Sequence, residues 1–210
     1  MINRDKISIK DALNILIEGN QRFVNNTPKQ YDMINKRNET KDNQYPFASI
    51  LSCSDSRTSV DLIFDQNLGD LFSVRLAGNI ASREAIGSLE FSCTQLESKV
   101  IVVMGHSNCG AIKAACDDYK GGNIGEIIKL ITPAVEAEKS INNKDHRDSK
   151  NELFVENVCL LNVQKQIEVI LQQSSIINEM VKDKKIGIVG GVYSLSSGLF
   201  KIDSDNLFLS

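Results

Sequence analysis

Two short segments carry residue types that bind soft metal ions: Cys53-Ser54-Asp55-Ser56-Arg57 and His106-Ser107-Asn108-Cys109-Gly110. Together they offer two thiols and one imidazole. A Cys₂His set is one of the three-ligand environments of catalytic zinc, which keep a fourth position open. Thiolate with imidazole favours zinc over magnesium or calcium. His106 and Cys109 are three residues apart, so one turn at the start of a helix can aim both at one ion, while Cys53 arrives from the other loop. Asp55 lies two residues past Cys53, and Arg57 two past Asp55. A guanidinium can grip a carboxylate bidentately and keep it ionised. Ionised, Asp55 only accepts hydrogen bonds, and it would orient a hydroxide formed on the metal by taking its proton in a hydrogen bond.

Each signal has a plainer reading on its own. A buried Cys is usually a small hydrophobe, and Cys93, Cys116 and Cys159, which lie in helical stretches without metal-type neighbours, are assigned to that class. His146 sits in the polar stretch Asn142–Asn151 and reads as a solvated surface residue. An Asp-x-Arg pair is more often a structural ion pair than a catalytic dyad, and a lone His-x-x-Cys is a weak motif. Their joint occurrence, each loop directly after an apolar strand-like run, decides for the metal. Gly187–Gly191 (GIVGG) lacks the spacing of a dinucleotide turn, and the chain carries no phosphate-binding loop and no G-x-S-x-G elbow.

The elements that must position these loops follow from periodicity. Phe47–Cys53 and Lys99–Gly105 are short apolar runs fit for buried strands; Asp70–Arg75 and Ile186–Tyr193 are further strands, the last followed by a turn at Ser196–Gly198 and a short edge strand. Helices are expected over 8–25, opened by a capping-box-like Ser8-Ile9-Lys10-Asp11, over 82–97, from just after Gly110 to before Gly121, over 123–141, and over 152–174. The segment 26–46 reads as a polar connecting arm. Alternating helices and strands that are apolar on both faces imply an α/β fold: a mostly parallel central sheet flanked by helices, behind an N-terminal helical arm. Ligands of such sheets bind beyond the carboxyl ends of the strands, where both loops fall.

With 210 residues the expectation is a single domain, residues 1–45 forming the helix and arm and 46–210 the core. The composition, 41% apolar and 24% charged, is that of an ordinary globular protein, and a net charge of −3 does not attract nucleic acid or an anionic membrane. Five cysteines, an odd number, argue against a disulfide framework. The opening MINRDKISIK has no apolar core, so no signal peptide and a cytoplasmic location are expected.

CSDSR (53–57) and HSNCGA (106–111) are similar to the two signature loops of the β-class carbonic anhydrases, and GDLFSVRLAGNI (69–80), GSLEF (87–91) and GGVYSLSSGLF (190–200) resemble further family segments in the right order. The resemblance runs from about Gln44 to the C-terminus. It implies one zinc per subunit on Cys53, His106 and Cys109, an Asp55–Arg57 dyad beside it, and a pocket for carbon dioxide and bicarbonate to which Gln44, Phe72, Phe91 and the Gly110 backbone amide contribute. It also implies a homodimer or larger assembly, the apolar stripe of the first helix covering a partner subunit. Phe91 stands where plant-like members often carry Tyr, and Ser194 where many have Asp; Ile50 replaces the Trp of members with a regulatory bicarbonate site, which argues against that site here. The implied reaction is reversible hydration of carbon dioxide, rising on the alkaline side because two thiolates leave bound water less acidic. The alternatives are hydrolysis of carbonyl sulfide or carbon disulfide on the same scaffold, or a structural zinc.

Overall fold

A computed structural model describes residues 7–208, with side chains described as far as Asp203. The two apolar runs form the middle of the sheet, as strands that tolerate water on neither face must: β1 (Ala48–Ser52) and β3 (Val100–His106) are buried at every position. β2 (Leu71–Arg75) lies outside β1 and is only partly covered. β4 (Gly187–Tyr193) flanks β3, and β5 (Phe200–Phe208) lies beyond it. The order is β2-β1-β3-β4-β5, with the first four strands parallel and β5 antiparallel to β4. This is the mostly parallel α/β sheet that the sequence implies.

Helices cover both faces. One face packs α4 (Arg83–Gln95), α7 (Glu152–Gln173) and α8 (Ser175–Lys182) through Leu89, Val163, Ile167 and Ile177 onto Leu51, Ile101, Val103 and Ile188. The other face packs α1 (Ile9–Val24). Its capping box forms as read, Ser8 Oγ accepting from the Asp11 amide and Asp11 Oδ2 from the Ser8 amide, both at 3.1 Å. The destination of α1 differs from expectation. Ala12, Leu13 and Leu16 share one buried cluster with Ile50, Phe64, Val102 and Met104 of the same chain. The buried part of the stripe therefore covers its own sheet, sharing that face with Val60 and Ile63, while Ile17 and Phe23 of α1 stay partly exposed. A third cluster, beyond the strand ends, gathers α5 (Gly110–Cys116), α6 (Ile124–Ala137) and the first turns of α7 around Cys53 and Cys109.

Three further elements escape a periodicity reading. The arm holds α2 (Met33–Thr40), capped by Asp32 Oδ1 accepting from the Asn35 amide, but α2 buries no residue and so leaves no apolar stripe to read. α3 (Val60–Ile63) is a single turn. α8 begins where α7 ends: Ser174 closes one helix and caps the next, its Oγ accepting from the Ile177 amide at 3.0 Å. β5 also runs nine residues rather than forming a short strand.

α1 is docked closely. A Cβ on Gly19 would stand 1.8 Å from the Phe64 carbonyl oxygen. Next to it, the Asn20 side-chain amide donates to the carbonyls of Ile63 and Gly198 and accepts from the Phe200 amide. Gly19→Ala is therefore expected to lower stability by roughly 1–3 kcal/mol, the usual cost of overpacking, read as a lower urea midpoint. An unchanged midpoint would contradict this docking.

Candidate metal centre

The chain passes from β1 to β2 on one side and returns to β3 on the other, so the direction of winding reverses between β1 and β3. In open α/β sheets that reversal opens a crevice at the strands' carboxyl ends. The register sets Ser52 opposite Met104, so Cys53 emerges beside the end of β3, whose last residue is His106. Cys109 is the N-cap of α5, three residues on. All three side chains converge. Their ligand atoms lie within 4.8 Å of one another, the two sulfurs are 3.9 Å apart, and Cys53, His106 and Cys109 are 5%, 1% and 1% exposed.

A metal fits this set on three grounds. Metal–sulfur bonds of about 2.3 Å at tetrahedral angles put two sulfurs about 3.8 Å apart, close to the separation found. His106 Nδ1 faces the Ser107 carbonyl oxygen at 3.0 Å, which fixes the proton on Nδ1. Nε2 is left buried with no hydrogen-bond partner and its lone pair toward the sulfurs' side, as in metal-binding histidines. Electrostatics supplies the third ground. The Cys53 thiol is drawn down, first by the hydrogen bond from Cys109, against the cost of burial, and further by the His106 side chain and the Gly78 amide. Cys109 is pushed up because it donates that hydrogen bond and is buried. Two thiolates at this distance repel by about 4 kcal/mol at an effective dielectric constant of ~20, so releasing both protons calls for a cation between them.

Asp55 stands at the rim. Arg57 grips it bidentately, Nε donating to Oδ1 at 2.9 Å and Nη2 to Oδ2 at 2.7 Å, and the Arg57 backbone amide adds a bond to Oδ1. These bonds hold the carboxyl well below the usual carboxylate range, so it is ionised. Asp55 Oδ2 lies 3.9 Å from His106 Nε2, too far for a hydrogen bond. A carboxylate oxygen accepts about two bonds. Oδ1 has both, whereas Oδ2, the oxygen nearer the three candidate ligands, has one from Arg57.

The carbonic anhydrase family model matches residues 48–200, and carbonic anhydrase 2 of Mycobacterium tuberculosis is 33% identical over 193 residues, covering 89% of this chain and 89% of that protein. The chain belongs to the β-class carbonic anhydrases. The fold agrees. The Coccomyxa β-carbonic anhydrase superposes with a TM-score of 0.70 at 24% identity, covering 90% of this chain and 85% of that one. A tetrameric β-carbonic anhydrase of Sordaria macrospora superposes with 0.66 at 23%, covering 81% and 90%. The enzyme class is accordingly carbonate dehydratase. Among the described residues, no helix is long and apolar enough to cross a membrane.

The other residues singled out in the sequence fall in different places. Gly110 opens α5, and a Cβ there would meet nothing within 4 Å. Phe72 and Phe91 meet with ring centroids 6.3 Å apart on the outer side of β2 and α4. Gln44 is exposed and lines a groove with Phe72 that contains neither Asp55 nor any of the three candidate ligands; within one subunit the structure does not bring Gln44 or Phe72 to the metal centre. His146 is exposed, as expected. Cys93 and Cys116 are pushed up to about 12 by burial, fitting inert core thiols. Cys159 does more than fill space: its Sγ lies 3.3 Å from the His106 carbonyl oxygen.

Sequence reasoning missed the residues that hold the first loop. Arg75, at the end of β2, donates from Nε to the Cys53 carbonyl at 3.1 Å and from Nη2 to the Asp55 carbonyl at 2.7 Å. The Thr58 hydroxyl lies between the same two carbonyls. A charged residue ending an edge strand beside the loop is the one signal that pointed to Arg75. Cys53→Ser and His106→Ala are each expected to lose bound metal and activity together, because two remaining ligands hold an ion poorly. Stoichiometric metal with full turnover in either purified variant would refute the ligand assignment.

Proposed function

We propose that the protein catalyses the zinc-dependent, reversible hydration of carbon dioxide to bicarbonate and a proton, with one zinc per subunit held by Cys53, His106 and Cys109. The carrying observation is that three soft ligands and one ionised carboxylate, itself fixed by Arg57, meet in a single strand-end crevice. Zinc, when bound, supplies the Lewis acidity that makes water nucleophilic near neutral pH, a role for which carbonic anhydrase is the standard example. The residues do the rest. Asp55, as a pure acceptor, takes the O–H of the attacking water on the free lone pair of Oδ2 and turns the water's own lone pair away from itself, toward the carbon. Arg57 keeps the carboxylate in that pose. Gly110, unobstructed at the start of α5, leaves its backbone amide approachable by the product anion. A closed structural site needs four protein ligands, and among the described residues the cluster stops at three.

The same reading includes a homo-oligomer. Phe91, Leu68, Leu62 and Met33 are large apolar side chains left 48%, 44%, 67% and 52% exposed, and the groove holding Gln44 and Phe72 has a volume of about 860 Å³. A second copy against this side would cover it and carry Gln44 and Phe72 toward a metal centre they do not reach alone. The tetrameric Sordaria macrospora relative supports such assembly.

The dyad gives the sharpest test. Arg57→Ala frees the Asp55 carboxylate to turn toward the three ligands, where it competes with water; Arg57→Lys loses the planar fork. Both are expected to lower kcat/KM for carbon dioxide by roughly 10–100-fold at pH 8, the usual cost of removing a group that orients a metal site, with zinc retained. The wild type should be dimeric or larger by light scattering of the same samples. Wild-type rates from zinc-replete Arg57→Ala would return the pair to a structural salt bridge, and a monomer at micromolar concentration would remove the oligomer.

A further inference from the structure

The Cys53 sulfur accepts a hydrogen bond from the Gly78 backbone amide at 3.3 Å. Gly78 is held in an unusual pose. Its φ is +69°, the left-handed region that favours glycine, and a Cβ there would lie 2.6 Å from Ile131 Cδ1. The carbonyl of the same residue is gripped from the opposite side by Asn162, whose Nδ2 donates at 2.9 Å. Asn162 Oδ1 in turn accepts from Gln166 Nε2 at 3.0 Å, and Gln166 Nε2 also reaches the Leu130 carbonyl at 3.1 Å. Gln166 Oε1 accepts from the Ala81 amide at 2.8 Å. The two side chains are 0% and 2% exposed, one helical turn apart on an otherwise apolar face of α7.

The network permits only one orientation of both amides. The Ala81 amide can only donate, so Gln166 presents oxygen to it and nitrogen to Asn162. Asn162 then presents oxygen to Gln166 and nitrogen to Gly78. Both ends of the 78–81 segment are thereby tied to one rigid helix. Burying two primary amides is costly unless every group finds a partner, and an apolar pair would pack this face of α7 as well. What the polar pair adds is a fixed direction for the Gly78 N–H.

We infer that Asn162 and Gln166 are positioning residues for the metal centre: they lock the Gly78–Ala81 segment so that the Gly78 amide stays on the Cys53 sulfur and sets that ligand's place. The inference rests on the metal-site reading above. Partners that orient ligands in this way typically change metal affinity by roughly 10–100-fold when removed.

The test titrates metal-free wild type, Asn162→Ala, Gln166→Ala and Ser92→Ala with cobalt(II) against a competing chelator, recording affinity and the thiolate-to-cobalt charge-transfer band. Ser92→Ala is the control, since it breaks the buried Ser49–Ser92–Ser98 hydroxyl chain that reaches β1 far from Cys53. Asn162→Ala and Gln166→Ala should weaken cobalt binding roughly 10–100-fold and shift the band, while Ser92→Ala lowers the melting temperature and leaves both unchanged. Folded Asn162→Ala and Gln166→Ala proteins with wild-type affinity and band would overturn the inference and leave a packing role. Wild type loaded with cadmium-113 gives a reading that needs no variant: the Gly78 amide proton should couple to the metal through the sulfur, and no coupling would equally overturn it. Failure of the wild type itself to bind cobalt through thiolate would instead sink the metal-site reading.

Discussion

Two cysteine sulfurs 3.9 Å apart and almost fully buried form the constraint on which the rest of the structure depends. As one thiol and one thiolate they share a proton comfortably; as two thiolates they repel unless a cation sits between them. Sustaining that arrangement needs a rigid frame and donors for the sulfurs' charge. Rigidity comes from the sheet, because Cys53 follows a fully buried strand and Cys109 is the N-cap residue of a helix that starts four residues after the neighbouring strand ends. Donors come from the backbone, through the Gly78 amide.

Around that pair the polar residues are arranged in order of distance. His106 completes the set with a lone pair whose direction is fixed by the Ser107 carbonyl. Ser107 is itself tied to the next strand, its amide bonding to the Tyr193 carbonyl and its hydroxyl accepting from the Leu195 amide, so the histidine's anchor is part of the sheet. Arg75 and Thr58 hold the two carbonyls of the Cys53–Asp55 loop, and Arg57 holds the carboxylate. Asp55 is thus restrained at both its backbone and its side chain, which lets one unsatisfied lone pair keep a constant direction.

Much of this was legible in the sequence because the chemistry is local. The two loops each follow an apolar run, and a parallel sheet puts the ends of such runs together; Cys53, His106 and Cys109 needed no knowledge of the rest. The core strands were equally plain, since Val100–Met104 can be nothing but buried. What stayed hidden has a common cause. Asn162 and Gln166 look like interruptions of an apolar stripe until their partners, some 80 residues away in sequence, are in place. α2 buries no side chain, so periodicity has nothing to detect there, and α8 is amphipathic but only about two turns long and follows α7 without a break. The stripe of α1 was correctly seen as needing cover, but its amphipathicity says nothing about whose surface supplies that cover; here it is its own sheet.

The proposed chemistry depends on the identity and openness of the metal's coordination shell. X-ray absorption of the zinc-loaded protein at pH 8.5 reads it directly. Two sulfurs at about 2.3 Å with two lighter ligands at about 2.0–2.1 Å is the result predicted. A shell without sulfur, or one of four sulfurs, would contradict it.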